Sequence, residues 1–499
     1  MMHEVLKQAI DFNGSFINGK WQKHPEPIGK TAVKSPANIA LKLPEISFHY
    51  DHVELAAQAG KKAFQEWKFV SVENRIKALH RFADEINKRS DLMARLISFE
   101  IGKPLKEAKG EVAALINKIK VTCEAGLEYV KTQTIPMPGG RGEIHFRPKG
   151  TLLVIGPFNF PVHLSHGHIV PALLTGNTCI LKPSEKAPYC AQVYMEAFEA
   201  AGFPPGVLQL VHGNPELSTR LLRHPLIDGV IATCSYEVGV KIQSTLAHNT
   251  EKIVVLEMGG KNSAIIWEPG QGGLDKVADD LITSCFLTTG QRCTALSRTY
   301  VKRTHLNELL AKFHEKAKKL IIGNPFDESP EPFMGPLVSQ HSMDNFLRFN
   351  TLAMNEGAEE IMRPKALEKM ARASEKTLPE GYYVSPSIHL VQKWNAESHY
   401  QNQEIFGPDM FFCPIDSLEE GIAATNTNPY GLSFSFFSPK EEEFNYVADR
   451  VDVGLAYWNK PTVGASALLP FGGWKRSGNH RPAGIFAIYQ CTQAQARIY

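Results

Sequence analysis

From Gly150 onward, short apolar runs alternate with stretches of helical periodicity, and this alternation constrains the possible fold more than any other feature. The apolar runs span residues 151–155, 178–181, 207–211, 229–233 and 253–256. Strands that alternate with helices form a mainly parallel sheet with helices on both faces. A second alternation runs from 262 to about 453. The sequence therefore predicts two doubly wound, mainly parallel α/β domains.

The residues before this alternation have a different pattern, which predicts helices after a short hairpin. Asn18 and Gly19 are a tight-turn signal between apolar residues. Helical periodicity follows at 53–67, 76–97 and 107–130. Two further segments are predicted to be extended: the proline- and glycine-rich residues 133–150, and the tail at 485–499, which shows strand character and no helical cap.

These patterns suggest how the chain is divided. We expect one domain from 1–132 and 151–257, a second from 258–455, and two extended segments at 133–150 and 480–499. Isolated strands are unstable without partners, and exposed strand edges invite pairing. The extended segments are therefore expected to mediate self-association.

Bulk composition excludes several classes of protein. The net charge is +2, with 43% hydrophobic and 21% charged residues, so nothing favours nucleic acid or an anionic membrane as a partner. No apolar run approaches a membrane span, and the N-terminus does not resemble a signal peptide. Eight scattered cysteines without a Cys-x-x-Cys pair favour reduced thiols, so we expect a cytoplasmic protein.

One cysteine in a polar turn is the strongest candidate for a reactive group. Cys293 follows Gly290-Gln291-Arg292 and precedes Thr294. A thiolate is a strong nucleophile toward an aldehyde carbon, and the neighbouring Arg292 would favour the thiolate form. The alternative is a buried structural cysteine, but the polar neighbours favour a reactive one.

Two polar residues elsewhere have complementary chemistry. Glu257 follows the apolar run 253–256 and precedes two glycines, which indicate close approach of another group to the backbone. A partly desolvated carboxylate at a strand end has a raised pKa and suits a general base. Asn159, within 156–161, offers an amide donor for an oxyanion. The structural alternatives are a salt-bridged glutamate and a turn asparagine.

In this order, the motifs around Asn159, Glu257 and Cys293 resemble the NAD(P)-dependent aldehyde dehydrogenase superfamily, and the likeness extends from about Phe16 to Pro482. It implies the superfamily's fold, in which the first domain binds NAD and the second is catalytic, and a homodimer or homotetramer. It also implies that Cys293 adds to an aldehyde and that hydride leaves to the nicotinamide. Water activated by Glu257 would then hydrolyse the thioester, whereas relatives that acylate coenzyme A use a thiol instead.

The resemblance also supplies a cofactor site, because the chain contains no Gly-x-Gly-x-x-Gly sequence. Lys182 and Glu185 would hydrogen-bond the adenosine ribose. The Glu185 carboxylate would repel a 2′-phosphate, which favours NAD and leaves NADP possible. A solvated charged turn is the alternative for this pair.

Further cofactor residues follow from the same resemblance. Ser235 and Gly239 would belong to a helix whose N-terminus faces the pyrophosphate. The superfamily usually has Phe-Thr-Gly-Ser before this helix, whereas this chain has Ala-Thr-Cys-Ser, and Cys234 is expected to crowd the backbone there. The nicotinamide half is assigned to Glu404, Phe406 and Phe158.

Finer motifs at 458–461, 464–466 and 477–482 resemble the bacterial subgroup that oxidises N-succinylglutamate 5-semialdehyde in arginine catabolism. Such a substrate carries two carboxylates besides the aldehyde, so its pocket should present cationic and polar groups. The candidates are Arg292, Thr294, Lys460, His480 and Arg481. Two alternatives stay open: an enzyme for another small aldehyde, such as succinate semialdehyde, and a non-catalytic scaffold.

Three histidines form the one pattern that suggests a metal. His163, His166 and His168 lie in an otherwise apolar predicted helix, without a cysteine or carboxylate nearby in the sequence. The inferred reaction needs no metal, so we expect structural or substrate-facing histidines and no metal site.

Overall fold

The computed structural model describes residues 10–367 and 378–499, so the first nine residues of the predicted first domain lie outside the described part. Its strands form two seven-stranded sheets, one three-stranded sheet and three two-stranded sheets. In chain order the strands are β1 (Ser15–Ile17), β2 (Lys20–Gln22), β3 (Gly29–Ser35), β4 (Asn38–Phe48), β5 (Gln133–Met137), β6 (Gly140–Pro148), β7 (Thr151–Ile155), β8 (Thr178–Lys182), β9 (Leu208–Leu210), β10 (Gly229–Thr233), β11 (Ile253–Glu257), β12 (Asn262–Ile266), β13 (Leu296–Lys302), β14 (Glu359–Met362), β15 (Ser387–Leu390), β16 (Asp409–Ile415), β17 (Tyr430–Gly431), β18 (Ser433–Phe437), β19 (Leu455–Trp458), β20 (Pro470–Phe471), β21 (Trp474–Lys475), β22 (Ala483–Gly484) and β23 (Thr492–Ile498).

The α-helices connect these strands and cover the sheets. In chain order they are α1 (Asp51–Trp67), α2 (Val72–Lys88), α3 (Ser90–Ile101), α4 (Leu105–Val121), α5 (His163–Leu174), α6 (Pro188–Ala200), α7 (Pro215–Arg223), α8 (Tyr236–Thr245), α9 (Gly273–Phe286), α10 (Leu306–Lys318), α11 (Gln340–Asn355), α12 (His399–Asn402), α13 (Leu418–Thr427), α14 (Glu441–Ala448) and α15 (Ala487–Gln490). Within the described residues, no helix is long and apolar enough to cross a membrane.

The first large sheet has the order β11-β10-β7-β8-β9-β1-β2. Its five strands from β11 to β9 are parallel, and the β1–β2 hairpin adds an antiparallel edge. The chain builds outward from β7 to β9 and then returns to the other side of β7 with β10. Ligands of doubly wound sheets bind at such a switch point, outside the carboxyl ends of the strands.

The second large sheet has the order β14-β15-β16-β13-β12-β18-β19 and is parallel except for β14. Its last strand ends at Trp458, so the sheet continues past the predicted boundary at residue 455. Two doubly wound sheets confirm the predicted α/β fold class.

Alternating side chains of the central strands supply two cores for each sheet. In β7, Leu152 and Val154 join one buried cluster, whereas Leu153 joins another. In β12, Ala264 and Ile266 lie on one side and Ile265 on the other. Successive strand residues point to opposite faces, and a sheet covered on both faces therefore produces continuous apolar runs.

The N-terminal region differs from the prediction in three places. A long hairpin of β3 and β4 was missed, because two register shifts interrupt its period-two pattern. The helix expected at 76–97 is two helices, α2 and α3, which meet at Arg89. The helix expected at 107–130 ends as α4 at Val121 and continues as a π-helical turn, Thr122–Gly126.

The two predicted extended segments meet in the three-stranded sheet β23-β6-β5. All seven residues of β23 pair with β6, from Thr492 with Pro148 to Ile498 with Gly142. The strand character predicted for the tail is confirmed by β23, whereas the short helix α15 before it was not predicted. Ile135, Met137, Ile498 and Tyr499 on this sheet or its end are exposed.

Candidate active site

Cys293 lies in the loop between α9 and β13 and lines a cavity of about 1130 Å³. Burial raises the pKa of the Cys293 thiol well above its usual range, and the Glu257 and Glu404 carboxylates raise it further. The Thr294 backbone and Arg292 oppose this shift by less. Arg292 thus favours the thiolate, as the sequence indicated, but burial and the two carboxylates outweigh it. The Arg292 guanidinium lies 2.6 Å from the Glu107 carboxylate, which offsets its charge.

The backbone before Cys293 is unusual. Thr288, Thr289 and Gly290 have φ values of 55°, 56° and 69°. The left-handed region is costly for β-branched residues. Gly290 has no such cost, and a Cβ there would lie 2.3 Å from the carbonyl oxygen of Gly407. The turn that presents the thiol is therefore strained and closely packed.

Glu257 ends β11 and is almost completely buried, with 1% of its surface exposed. Neither carboxylate oxygen has a hydrogen-bond partner among the described residues. Burial raises the pKa of Glu257 well above its usual value, and the Arg481 charge only partly opposes this. A salt-bridged structural glutamate, the alternative reading, does not fit these contacts. The side chain is instead a buried carboxyl group without a hydrogen-bond partner among the described residues, and its charged form is unfavourable.

The two glycines after Glu257 allow close contacts, as the sequence indicated. A Cβ on Gly259 would lie 1.9 Å from a Glu404 carboxylate oxygen, and one on Gly260 would lie 2.6 Å from the Cys293 carbonyl oxygen. The Gly260 N–H donates to Glu404 Oε1 at 2.9 Å. The glycines therefore bring the strand end of Glu257, the loop of Cys293 and Glu404 together.

Asn159 precedes α5 and also lines the cavity. Its side chain is buried, and Nδ2 donates to the Gln291 carbonyl oxygen at 2.9 Å. An amide carries two N–H donors. The second therefore stays available, beside the loop that carries Cys293.

Two predicted cofactor residues, Lys182 at the end of β8 and Glu185 shortly after it, lie together on the cavity wall. The Lys182 ammonium and the Glu185 carboxylate form a direct ion pair, in which Lys182 is buried and Glu185 is partly exposed. Ser184, between them, also lines the cavity. The pair is thus a fixed feature of the wall and not a freely solvated turn.

Helix α8 begins at the carboxyl end of β10, near the switch point of the sheet. Ser235 caps it by accepting a hydrogen bond from the Val238 N–H at 3.4 Å, and both residues line the cavity. Gly239 is not among the cavity-lining residues, and a Cβ there would lie 2.2 Å from Met258 Sδ. The glycine therefore allows α8 to lie close to Leu256 and Met258 at the end of β11.

Cys234 lines the cavity beside Ser235. Its N–H donates to the Glu257 carbonyl oxygen at 3.0 Å. Burial raises the pKa of the Cys234 thiol to about 12. This cysteine is therefore a neutral, fixed part of the wall.

The other end of the cavity carries Glu404, Phe406 and Phe158. Burial raises the pKa of Glu404 to about 7. The Phe158 and Phe406 rings meet edge to face, with centroids 5.7 Å apart. A carboxylate acceptor therefore lies beside an aromatic pair, close to Cys293.

The five predicted substrate residues do not line this cavity. Thr294 is buried, and its carbonyl oxygen accepts from Thr462 Oγ1 at 2.8 Å. Arg481 donates to the Gly473 carbonyl oxygen at 2.5 Å and interacts electrostatically with Glu257. His480 and Lys460 are exposed, and Arg292 is paired with Glu107. Of the five candidate substrate residues, Arg481 thus interacts electrostatically with a catalytic candidate, Glu257.

The three histidines of α5 do not converge on a common point. His166 contacts the Tyr194 hydroxyl and the Leu115 carbonyl oxygen, and His168 contacts the Thr233 hydroxyl. Among the described residues, the group with metal-ligand spacing is His24, His49 and Asp51. Its two rings stack in parallel 3.6 Å apart, so their in-plane lone pairs do not point to one ion.

Several cavity residues were missed because nothing in the local sequence marks them. Asn345 and Arg348 extend from α11, Tyr430 begins the short strand β17, and Arg476 directly follows β21. The Arg476 guanidinium lies 4.9 Å from the Tyr236 ring, at the start of α8. Long-range folding alone brings these groups to the cavity.

Comparison with known proteins agrees with this arrangement. Residues 29–496 match the aldehyde dehydrogenase family, and the chain belongs to that family. It is an aldehyde oxidoreductase that uses NAD or NADP. It is 36% identical to an N-succinylglutamate 5-semialdehyde dehydrogenase of Novosphingobium aromaticivorans over 88% of this chain and 90% of that protein.

Two further proteins extend the comparison. An Escherichia coli protein of the same name is 36% identical over 89% of this chain and 88% of that protein. Among solved structures, 1-pyrroline-5-carboxylate dehydrogenase from Thermus with bound NAD has a TM-score of 0.89 and 27% identity, covering all of this chain and 95% of that one.

The electrostatics of the Cys293 thiol lead to a first prediction. Glu404 has a pKa of about 7, so it is charged above neutral pH, and its charge raises the pKa of the thiol. Replacing Glu404 with Gln should therefore shift the pH midpoint of Cys293 alkylation by iodoacetamide to lower pH. The exposed variant Glu441→Gln serves as the control. An unchanged midpoint in Glu404→Gln, measured by peptide mass spectrometry, would contradict this coupling.

Proposed function

We propose that this enzyme oxidises N-succinyl-L-glutamate 5-semialdehyde to N-succinyl-L-glutamate, a step of arginine catabolism in the cytoplasm, with NAD as the preferred acceptor. The observation that carries the chemistry is that Cys293 and Asn159 line one cavity together with Met258 and Gly259, the two residues directly after Glu257. The relatives of that name, at 36% identity, support the choice of substrate.

In the proposed mechanism, the Cys293 thiolate attacks the aldehyde carbon, and the carbonyl oxygen becomes an oxyanion. The free N–H of Asn159 and the backbone N–H of Cys293 donate to that oxyanion. One such donor typically contributes about 3 kcal/mol to the transition state. Loss of hydride from the carbon leaves a thioester on Cys293.

Glu257 then removes a proton from water, and the resulting hydroxide attacks the thioester. The carbon–sulfur bond breaks, the carboxylic acid leaves, and Cys293 is free again. A base works best when its pKa lies near the operating pH, and the raised pKa of the buried Glu257 carboxyl suits it for this step.

The cavity residues fit a dinucleotide. The N-terminus of α8, capped by Ser235, offers backbone N–H groups to a diphosphate. Lys182 and Glu185 would meet the adenosine ribose, and Glu404 would accept from the nicotinamide ribose beside Phe158 and Phe406. Bound NAD would supply the hydride acceptor.

The substrate specificity leads to a prediction. With NAD, kcat/KM for N-succinylglutamate 5-semialdehyde should exceed that for succinate semialdehyde by about tenfold or more, because a site that pairs both carboxylates leaves cations unpaired with a smaller substrate. Absorbance of reduced nicotinamide measures this, with Cys293→Ala as the inactive control. Preference for succinate semialdehyde would instead favour the small-aldehyde alternative, and no turnover of any aldehyde would favour a non-catalytic scaffold.

The cofactor preference leads to another prediction. Glu185 should repel the 2′-phosphate of NADP, and a like-charge contact of this kind costs about one to a few kcal/mol. The native enzyme should therefore prefer NAD by about tenfold or more in kcat/KM, and Glu185→Ser should reduce the preference. Lys182 attracts the same phosphate, which limits the effect. A native preference for NADP, or an unchanged ratio in the variant, would refute the role of Glu185.

The proposal also assigns a function to each large sheet and a subunit contact to the three-stranded sheet. The sheet of β7 to β11 would form the NAD-binding domain, the sheet of β12 to β19 the catalytic domain, and the sheet β23-β6-β5 a contact between subunits. Its exposed apolar side chains and open strand edges support this role. Light scattering should therefore detect a homodimer or homotetramer, and a stable, active monomer would be incompatible with it.

A further inference from the structure

One carboxylate holds the strained turn before Cys293 from a helix far away in the sequence. Glu107, in the first turn of α4, accepts from the Thr288 N–H at 3.1 Å and from the Thr288 hydroxyl at 2.7 Å. The same side chain accepts from Arg292 Nη2 at 2.6 Å. The turn is thus fixed at its first strained residue and at the residue next to Cys293.

Arg292 closes this network from the other side. Its Nε donates to the Thr288 hydroxyl at 2.9 Å, and its guanidinium lies 5.0 Å from the Phe160 ring. Lys103 lies 3.6 Å from the same ring and is paired with Glu111 at 2.6 Å. The charges of Arg292 and Lys103 are therefore offset by those of Glu107 and Glu111, beside the loops of Asn159 and Cys293.

The energetics of the turn explain why such a network is needed. A left-handed backbone is costly for each of the two threonines, and a free loop would relax to an ordinary conformation. Charge-assisted hydrogen bonds contribute more than neutral ones. The Glu107 carboxylate makes three hydrogen bonds to this turn, two of them to the strained Thr288.

We propose that Glu107 is a positioning residue that holds the Cys293 thiol in its reactive place and neutralises the Arg292 charge beside it. This inference rests on the proposed role of Cys293. It assigns Arg292 to the support of the nucleophile, not to a substrate carboxylate. The pH response of the thiol therefore depends on Glu257 and Glu404 on one side and on Arg292, with Lys103 behind it, on the other.

The two roles predict opposite effects in Glu107→Gln. The kcat should fall by about tenfold or more relative to the native enzyme, while KM should stay within about threefold. Without the Glu107 hydrogen bonds the thiol is displaced from its reactive position, but the substrate still binds. The pH midpoint of Cys293 alkylation by iodoacetamide should nevertheless move down by about half a unit, because the Arg292 charge is no longer neutralised. The matched control is Glu331→Gln, whose carboxylate pairs on the surface with Lys106, next to Glu107.

A glycine variant tests the strain directly. Glycine adopts positive φ at no steric cost, so Thr288→Gly in the Glu107→Gln background should recover kcat by about threefold or more. This double variant also carries the test if Glu107→Gln alone is too unstable to purify. The alkylation assay needs no aldehyde, so a wrong choice of substrate does not affect it.

Two outcomes would overturn the proposal. One is a kcat within twofold of the native value in Glu107→Gln. The other is a lower kcat with an unchanged alkylation midpoint and no recovery in the double variant, which is the behaviour of a merely structural residue.

Discussion

The chemistry proposed for this enzyme depends on three consecutive residues with left-handed backbone, which precede Cys293 at the cavity wall. Two of them are threonines, for which this conformation is costly. Glu107, the Gly335 carbonyl oxygen and Arg292 hold these threonines in place by hydrogen bonds. A local sequence with a preference for another conformation is thus kept in place by distant packing, as is common at functional sites.

Desolvation is the second constraint on the site. Glu257 is buried without a hydrogen-bond partner among the described residues, and the Cys293 thiol has a raised pKa because of burial and two nearby carboxylates. The charged forms of both groups are therefore costly, and each becomes more reactive once it ionises. Buried ionisable groups without hydrogen-bond partners weaken the fold locally, and the apolar cores on both faces of the two sheets must offset this.

The sequence predicted those parts of the structure that depend on local patterns. The bounds of β7 and β10 agree with the apolar runs, because fully buried parallel strands leave a strong local signal. The predicted residues Asn159 and Cys293 line the cavity, and Glu257 ends a strand directly before the cavity residue Met258. The β3–β4 hairpin was missed because register shifts break its alternation. Glu107 was also missed, since its contact with Thr288 spans 181 positions and leaves no local trace.

The most direct test of the covalent mechanism is a single-turnover experiment on Glu257→Gln with NAD and N-succinylglutamate 5-semialdehyde. If Cys293 forms a thioester that Glu257 helps to hydrolyse, about one equivalent of reduced nicotinamide should appear per active site, followed by very slow turnover. Mass spectrometry should then find the acyl group on the peptide that contains Cys293. Retained steady turnover without an acyl adduct would contradict the account, as would loss of both the burst and cofactor binding.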